Sequence, residues 1–234
     1  MLLTDVAKVA EAAKNKAELC NNHFEKYFMR AVMAGFYIVV ATILSNVSAA
    51  VLYSTYPQFG KLLGAFLFSL AIVLVVFLNG ELFTGNNFVM AVGVYNKTVS
   101  VKDMVKVWVV SYVGNFVGAI LLSAMFVYSK ASHAIMVDYY NSFIYTKISA
   151  GLPELLLKGF LCNFLVCMAV LVGTKLKSES GKLIIMFCII MSFVVAGFEH
   201  CIANMSTFSI GYMLLGNIGT ASVIKSMIVV TIGN

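Results

Sequence analysis

Long apolar stretches separated by short polar connections run through almost the whole sequence. Three are unbroken, over about 28–52, 104–128 and 153–176. Two others begin near Leu62 and Leu183, are interrupted by a polar segment, and then resume. Because about 20 apolar residues suffice to cross a bilayer as a helix, these stretches predict membrane helices, with the second and fifth broken.

A sixth apolar stretch begins near Ala221 and reaches the last residue, Asn234. Its roughly 14 residues would rise only about 21 Å, against a hydrocarbon core of about 30 Å. We therefore expect a last helix that is either half-length or clipped. The pattern as a whole predicts an all-α integral membrane protein with six transmembrane helices.

The two interruptions share a pattern of their own. Residues 79–87 read NGELFTGNN and residues 197–204 read GFEHCIAN, and in both a Glu precedes an Asn by five positions. Polar residues and broken backbone at membrane depth are tolerated only where they are buried in protein or line a polar path. We expect Glu81, Asn86, Glu199 and Asn204 to support the breaks structurally, the carboxylates by accepting hydrogen bonds from freed backbone N–H groups.

Two polar segments flank these helices. Residues 1–26 predict a cytoplasmic amphipathic helix at the membrane surface, and residues 129–152 predict a polar connection. The apolar positions of the first segment recur at the spacing of one helical face. They are Val6, Val9, Ala10, Ala13, Ala17 and Cys20.

Composition and charge exclude a water-soluble protein. The chain is 61% hydrophobic and 11% charged, with a net charge of +6, whereas soluble domains are roughly 25% charged. The cations form no stripe with interleaved aromatic residues, which argues against nucleic acid as a partner. They are concentrated in the N-terminal segment and in the second and fourth connections, so the positive-inside rule places both termini in the cytoplasm.

An internal repeat relates the two halves of the membrane domain, which spans residues 27–234. The halves cover about 27–130 and 153–234. With three crossings each they must be inserted in opposite directions, which brings the two breaks face to face near the midplane. The matched pairs are Gly35 with Gly159, Glu81 with Glu199, Asn86 with Asn204, and Asn115 with Asn234.

Three segments together resemble the formate/nitrite transporter family: residues 81–86, 163–167 and 197–205. The resemblance implies a homopentamer of six-helix protomers with an aquaporin-like inverted fold and one pore in each protomer. It also implies passage of small monovalent anions, such as formate, nitrite and hydrosulfide, or of their conjugate acids, across the bacterial inner membrane. The set Lys16, Thr84, Lys147 and His200 looks most like the hydrosulfide-channel branch.

The resemblance assigns roles to individual residues. Thr84 and His200 would face each other in a central chamber, Lys147 would lie at the outer mouth, and Asn163 would contact the permeant from the fourth helix. Lys16 would act as a gate on the cytoplasmic side. Hydrophobic constrictions would be formed by Phe68, Ile72, Leu82, Phe83, Val166 and Phe193.

These residue types suit the transport of an anion. Transfer of a bare anion from water into hydrocarbon costs many kcal/mol of free energy. A cation at the mouth of the pore and hydrogen-bond donors in its middle can offset that cost. Histidine can also supply a proton near neutral pH, so that the permeant passes the constrictions as a neutral acid. No cofactor and no metal is expected.

Two other functions remain open on the residues alone. A neutral-solute pore of the aquaporin type would carry Asn-Pro-Ala at both breaks, but Pro57 and Pro153 are the only prolines and neither follows an Asn. A membrane-embedded enzyme would need a catalytic or metal-binding constellation around His200, and neither triad nor metal-ligand spacing is present. We therefore expect a channel rather than an enzyme.

Overall fold

The computed structural model describes residues 3–216 and 218–234. Every regular element within those residues is a helix, which confirms the all-α prediction. Eleven helices are distinguished there. In chain order they are α1 (Leu3–Asn22), α2 (Phe24–Leu52), α3 (Pro57–Phe68), α4 (Leu70–Phe77), α5 (Phe83–Tyr95), α6 (Val101–Tyr128), α7 (His133–Ile148), α8 (Leu152–Lys175), α9 (Glu179–Val195), α10 (Cys201–Leu215) and α11 (Thr220–Gly233).

Four helical stretches of the described chain are long and apolar enough to cross a membrane. They are α2, α3 joined to α4 through Ser69, α6 and α8. Helices α10 and α11 are apolar but shorter. Helices α9 and α10 occupy the place of the expected fifth helix, and the count of six crossings stays a prediction.

Both expected breaks are present, but they are shorter than predicted. Helix α4 ends at Phe77 and α5 begins at Phe83, while α9 ends at Val195 and α10 begins at Cys201. Each break contains one residue with positive φ: Asn79 (54°) and Gly197 (75°). Asn86 and Asn204 therefore lie in the first turn of a helix and not in the breaks.

A matching pair of asparagines satisfies the backbone at the two breaks. Asn115 Oδ1 accepts from Phe83 N–H (2.9 Å), and its Nδ2 donates to Ala31 O (2.7 Å) and Glu81 O (3.0 Å). Asn234 makes the same three contacts, with Cys201 N–H (2.7 Å), Gly159 O (2.7 Å) and Glu199 O (3.0 Å).

These bonds correct one landmark of the proposed repeat. Ala31 and Gly159 occupy corresponding positions, so the expected match of Gly35 with Gly159 is one helical turn out of register. The error arose because both positions need a small residue. A Cβ on Gly35 would lie 2.3 Å from Asn115 O, and one on Gly159 would lie 3.0 Å from Val230 O.

The N-terminal helix packs on the protein. Its apolar face contacts α2, α5 and α6 through a shared core that includes Val9, Ala13, Cys20 and Met90. The segment is amphipathic as predicted, but this face is covered by the chain itself and not by a membrane surface. The helix ends at Asn22, and α2 begins at Phe24, earlier than expected.

The connection predicted for residues 129–152 is mostly helix. Helix α7 buries Met136, Tyr140 and Ile144, which recur every four residues and form one apolar face. Tyr140 is fully buried, and Asn46 Nδ2 donates to its hydroxyl at 2.7 Å. The intervening polar residues concealed this periodicity in the sequence. Lys147 consequently lies in the last turn of a helix.

Candidate functional site

A threonine and a histidine meet where the two broken segments approach each other. Thr84 is in the first turn of α5 and His200 is the N-cap of α10. Thr84 Oγ1 and His200 Nε2 are 2.9 Å apart, and Thr84 is fully buried. The structure thus places this predicted pair in direct contact.

The second ring nitrogen of His200 determines which tautomer is present. Nδ1 accepts a hydrogen bond from Ala203 N–H at 3.1 Å, as a capping side chain does at a helix start. A neutral ring whose Nδ1 accepts carries its proton on Nε2. Nε2–H therefore donates to Thr84 Oγ1, and the threonine hydroxyl keeps its own proton for another acceptor.

An ion pair lies beside each break. Lys16 Nζ is 2.6 Å from Glu81 Oε2, and Lys147 Nζ is 2.7 Å from Glu199 Oε2. The expectation that the two carboxylates accept from freed backbone N–H groups is therefore wrong. The asparagines of α6 and of the α11 terminus meet that need instead, which leaves the glutamates free to neutralise lysines.

Two cavities approach the Thr84–His200 pair from different sides. The larger, of about 530 Å³, is lined by Lys147, Glu199 and His200 among others, and we call it the Lys147 cavity. The smaller, of about 210 Å³, is lined by Lys16, Arg30 and Glu81 among others, and we call it the Lys16 cavity. Each contains one of the ion pairs.

Apolar side chains line both cavities near the central pair. Phe68 and Phe193 line the Lys147 cavity, with ring centroids 6.2 Å apart, and Phe193 stacks on His200 at 6.0 Å. Ile72, Leu82 and Val166 line the Lys16 cavity. All five are buried in one core cluster. Phe83, the sixth expected constriction residue, instead packs edge-on against Tyr112 at 5.0 Å.

Asn163 is separate from this site. Its Nδ2 donates to Asn234 O, and it lines neither the Lys147 cavity nor the Lys16 cavity. Asn86 donates to the Tyr27 hydroxyl at 2.9 Å, so it fastens α5 to α2. Asn204 Oδ1 accepts from Lys147 Nζ at 2.9 Å. Within residues 3–216 and 218–234, no three His, Cys, Asp or Glu side chains form a metal-binding group.

Sequence reasoning missed the roles of three kinds of residue. In the sequence, Asn115 and Asn234 serve only as landmarks of the repeat, although a polar residue repeated within apolar segments is a signal that it binds a buried polar group. Tyr139 and Phe143 of α7 line the Lys147 cavity and were hidden in the supposed connection. Arg30 lines the Lys16 cavity, and no sequence pattern distinguished it from the other cations near the N-terminus.

Comparisons with known proteins agree on one family. The family model described as Formate/nitrite transporter matches residues 4–234. The protein of Bacillus subtilis (strain 168) named "Uncharacterized transporter YwcJ" is 30% identical over 234 residues, 97% of this chain and 90% of that protein.

Two solved structures are also similar. One, "FNT family ion channel", has a TM-score of 0.92 at 25% identity and covers 99% of this chain and 93% of its own. Another, "Pentameric formate channel with formate bound", has a TM-score of 0.75 at 28% identity, over 89% and 90% of the two chains. The chain therefore belongs to the formate/nitrite transporter family, whose members are membrane channels and transporters and not enzymes.

Proposed function

We propose that this protein is a channel for small monovalent anions, namely formate, nitrite or hydrosulfide, or for their conjugate acids. Each protomer would hold one pore, in a pentamer of six-helix protomers built from two inverted three-helix halves. The observation that carries the proposal is the buried Thr84–His200 pair, which lies between two cavities that each contain a lysine. The formate and the pentamer of the similar solved structure support the permeant class and the assembly.

The charges of the cavities favour anions. The Lys147 cavity is lined by three lysines, Lys61, Lys147 and Lys158, and by the single carboxylate of Glu199. The Lys16 cavity is lined by Lys16 and Arg30 against Glu81. An excess of cations in a cleft with low-dielectric walls raises the local anion concentration. Each glutamate neutralises its lysine at rest, so an arriving anion exchanges with a carboxylate rather than meeting a bare ammonium.

The centre of the path offers hydrogen bonds and no full charge. A neutral His200 donates from Nε2 to Thr84, whose hydroxyl can donate to an anion entering from the Lys16 side. Helices α5 and α10 both begin here, and the N–H groups of a first helical turn carry positive partial charge. The permeant would thus be held by dipoles between two apolar layers.

Passage of those apolar layers favours a neutral permeant. For His200 to give a proton to an anion, the ring must first be protonated on Nδ1, which would break the bond from Ala203 N–H. We infer a short-lived imidazolium that takes its proton from water in the Lys147 cavity and releases it to the anion. His200 lines that cavity, which gives the ring access to water.

Lys16 is proposed as a gate. It is on α1, and it pairs with a glutamate inside the Lys16 cavity. We infer that the cavity widens when this pair separates. By the positive-inside rule, α1 and both termini lie in the cytoplasm, and the Lys147 cavity faces outward. The membrane would be the bacterial inner membrane.

Flux into sealed proteoliposomes tests the function. One preparation is assayed for nitrite, formate and hydrosulfide, with protein-free vesicles as the blank. We expect net movement of each anion without chemical change, and the ratio of the three rates would identify the preferred permeant. Equal rates with and without protein would contradict the proposal.

The pH dependence of that flux tests the histidine. We expect His200→Asn to lower flux and to flatten its rise with falling pH, because Asn keeps a capping oxygen but cannot take up a proton. Thr84→Ser is the control, since it keeps the hydroxyl and should keep the pH profile. An unchanged profile in His200→Asn would remove the proton-relay role while leaving the channel intact.

A further inference from the structure

The two cavities differ in a way that anion passage does not require. The Lys147 cavity is lined by Tyr53, Tyr139 and Phe143 in addition to the constriction phenylalanines. Of the described residues that line the Lys16 cavity, none is aromatic. A volume of about 530 Å³ falls within the roughly 300–1,000 Å³ typical of small-molecule sites, and it is far larger than an anion of one to three heavy atoms needs.

Three side chains form a ladder along one face of α7: Tyr139, Phe143 and Lys147, spaced four residues apart. The rings of Tyr139 and Phe143 stack with centroids 5.1 Å apart, and Lys147 Nζ lies 5.6 Å from the Phe143 centroid. Tyr53 packs edge-on against Tyr139 at 5.5 Å. The ladder therefore presents ring surface at one end and a cation at the other.

Unused hydrogen-bond donors lie at the cationic end. Lys147 has three N–H donors, and two of them bind Glu199 and Asn204. Asn204 is 1% exposed and lines the cavity, yet its Nδ2 has no partner among the described residues. A buried amide donor without an acceptor is costly, so an anionic oxygen placed between Nδ2 and Nζ would satisfy both groups.

We propose that the Lys147 cavity is a binding site for small aryl monoanions, carboxylates or sulfonates, which block the pore from that side. The anionic group would accept from Lys147 and Asn204, where a permeant also enters. The ring would pack against Tyr139, Phe143 and Tyr53, whereas a permeant has no ring to stack on them. Blocking rests on the proposed function, whereas binding does not.

Benzenesulfonate and methanesulfonate make a matched pair of probes. Both carry the same permanent charge, so neither crosses the bilayer as a neutral acid, and only the first has a ring. Their binding to the detergent-solubilised full chain is measured by calorimetry. We expect benzenesulfonate to bind at least tenfold more tightly, since aromatic contacts add to the burial of apolar area. Equal affinities, or no binding of benzenesulfonate, would overturn the proposal.

Two variants locate the ring. Phe143→Leu keeps an apolar side chain and should reduce the preference for benzenesulfonate by about three- to tenfold. Tyr145→Leu, on the same helix but exposed and outside the cavity lining, should leave the preference unchanged. Loss of preference in both variants, or in neither, would contradict the assignment. The comparison of the two probes uses the unmodified chain and stands even if a variant fails to fold.

The membrane face from which the inhibitor acts distinguishes this proposal from simple competition between anions. In proteoliposomes of known orientation, benzenesulfonate should inhibit nitrite flux from the face of the Lys147 cavity, and tenfold less from the face of α1. Inhibition that is equal from both faces, or equal for the two sulfonates, would overturn the ring site. Binding with the stated preference in a protein that passes no anion would instead contradict the proposed function alone.

Discussion

Asparagine side chains hold the backbone together at the places where this protein interrupts its helices. Asn115 accepts one hydrogen bond and donates two, and its partners are backbone groups of α2, of the break and of the first residue of α5. Backbone polar groups in lipid have no water to bind and must be paired within the protein. A residue with both donors and an acceptor on a short side chain satisfies this need, and an aspartate or a serine could not make the same set of bonds.

The first prediction concerns this residue. Asn115→Ala should lower stability by about 2–4 kcal/mol, because it leaves Phe83 N–H and Glu81 O buried without the partner that Asn115 gives each of them. Thermal unfolding in detergent would measure the loss. Ser123→Ala on the same helix is the control, since its buried hydroxyl has no partner in the described part of the chain. That variant should be neutral within about 0.5 kcal/mol, and equal losses in the two would refute the role of Asn115.

Helix packing in this protein depends on small residues where α2 crosses α6. A Cβ on Gly118 would lie 2.1 Å from Val32 O, which is a backbone atom and cannot move aside. Without a hydrophobic force between helices in lipid, such close backbone approach supplies the packing energy. The asparagine bonds at the break depend on this crossing, because Asn115 is on α6 and Ala31 is on α2.

Gly118→Ala should therefore destabilise the protein by about 1–3 kcal/mol. Gly173→Ala on α8 is the matched control: its Cβ would meet the flexible Met186 side chain at 3.4 Å. Alanine also favours a helix by about 1 kcal/mol over glycine, so Gly173→Ala should be neutral or stabilising. Fluorescence-detected gel filtration after heating would rank the two, and an equal or reversed ranking would count against the close crossing.

Helix α1 offers the second test at this scale. Replacing Lys16 and Glu81 together by Gln removes the ion pair but leaves the net charge of the Lys16 cavity unchanged, so anion attraction is preserved. If the pair holds α1 over the cavity, nitrite flux should rise several-fold. Lys14→Gln with Glu18→Gln removes the same charges from exposed positions of α1 and should not change flux. A fall in flux in the first variant would assign Lys16 to binding rather than gating.

We expect the orientation of the whole molecule to follow from where its cations lie. Three connecting positions test the orientation: Lys177 lies after α8, Ser54 lies in the turn after α2, and Ala131 lies in the turn after α6, beside Lys130. In a background of Cys188→Ser, which removes the exposed cysteine, an impermeant maleimide should label Ser54→Cys and Ala131→Cys on intact cells. Lys177→Cys should react only after permeabilisation. The opposite labelling would invert the proposed topology.

Much of the architecture could be read from hydropathy because a membrane imposes a single strong rule on sequence. Long apolar runs must be helices, and their polar interruptions must be buried. Hydropathy did not predict helix α7, because its buried residues recur only at every fourth position and polar residues lie between these positions. The landmark at Gly35 failed for a related reason: small residues recur at every close helix crossing, so a glycine match carries little register information.

The sequence by itself determined the helical class, the two breaks, and the residue types that meet there, since local hydropathy and repeated motifs depend on neighbours along the chain. Only the tertiary structure decided which groups become partners. It paired Glu81 and Glu199 with lysines. It placed Asn115 and Asn234 where they bind the backbone at the breaks, and it put the aromatic ladder in the Lys147 cavity and not in the Lys16 cavity. Hydrogen bonds and ion pairs act over about 3 Å between residues far apart in sequence, and no local pattern encodes that distance.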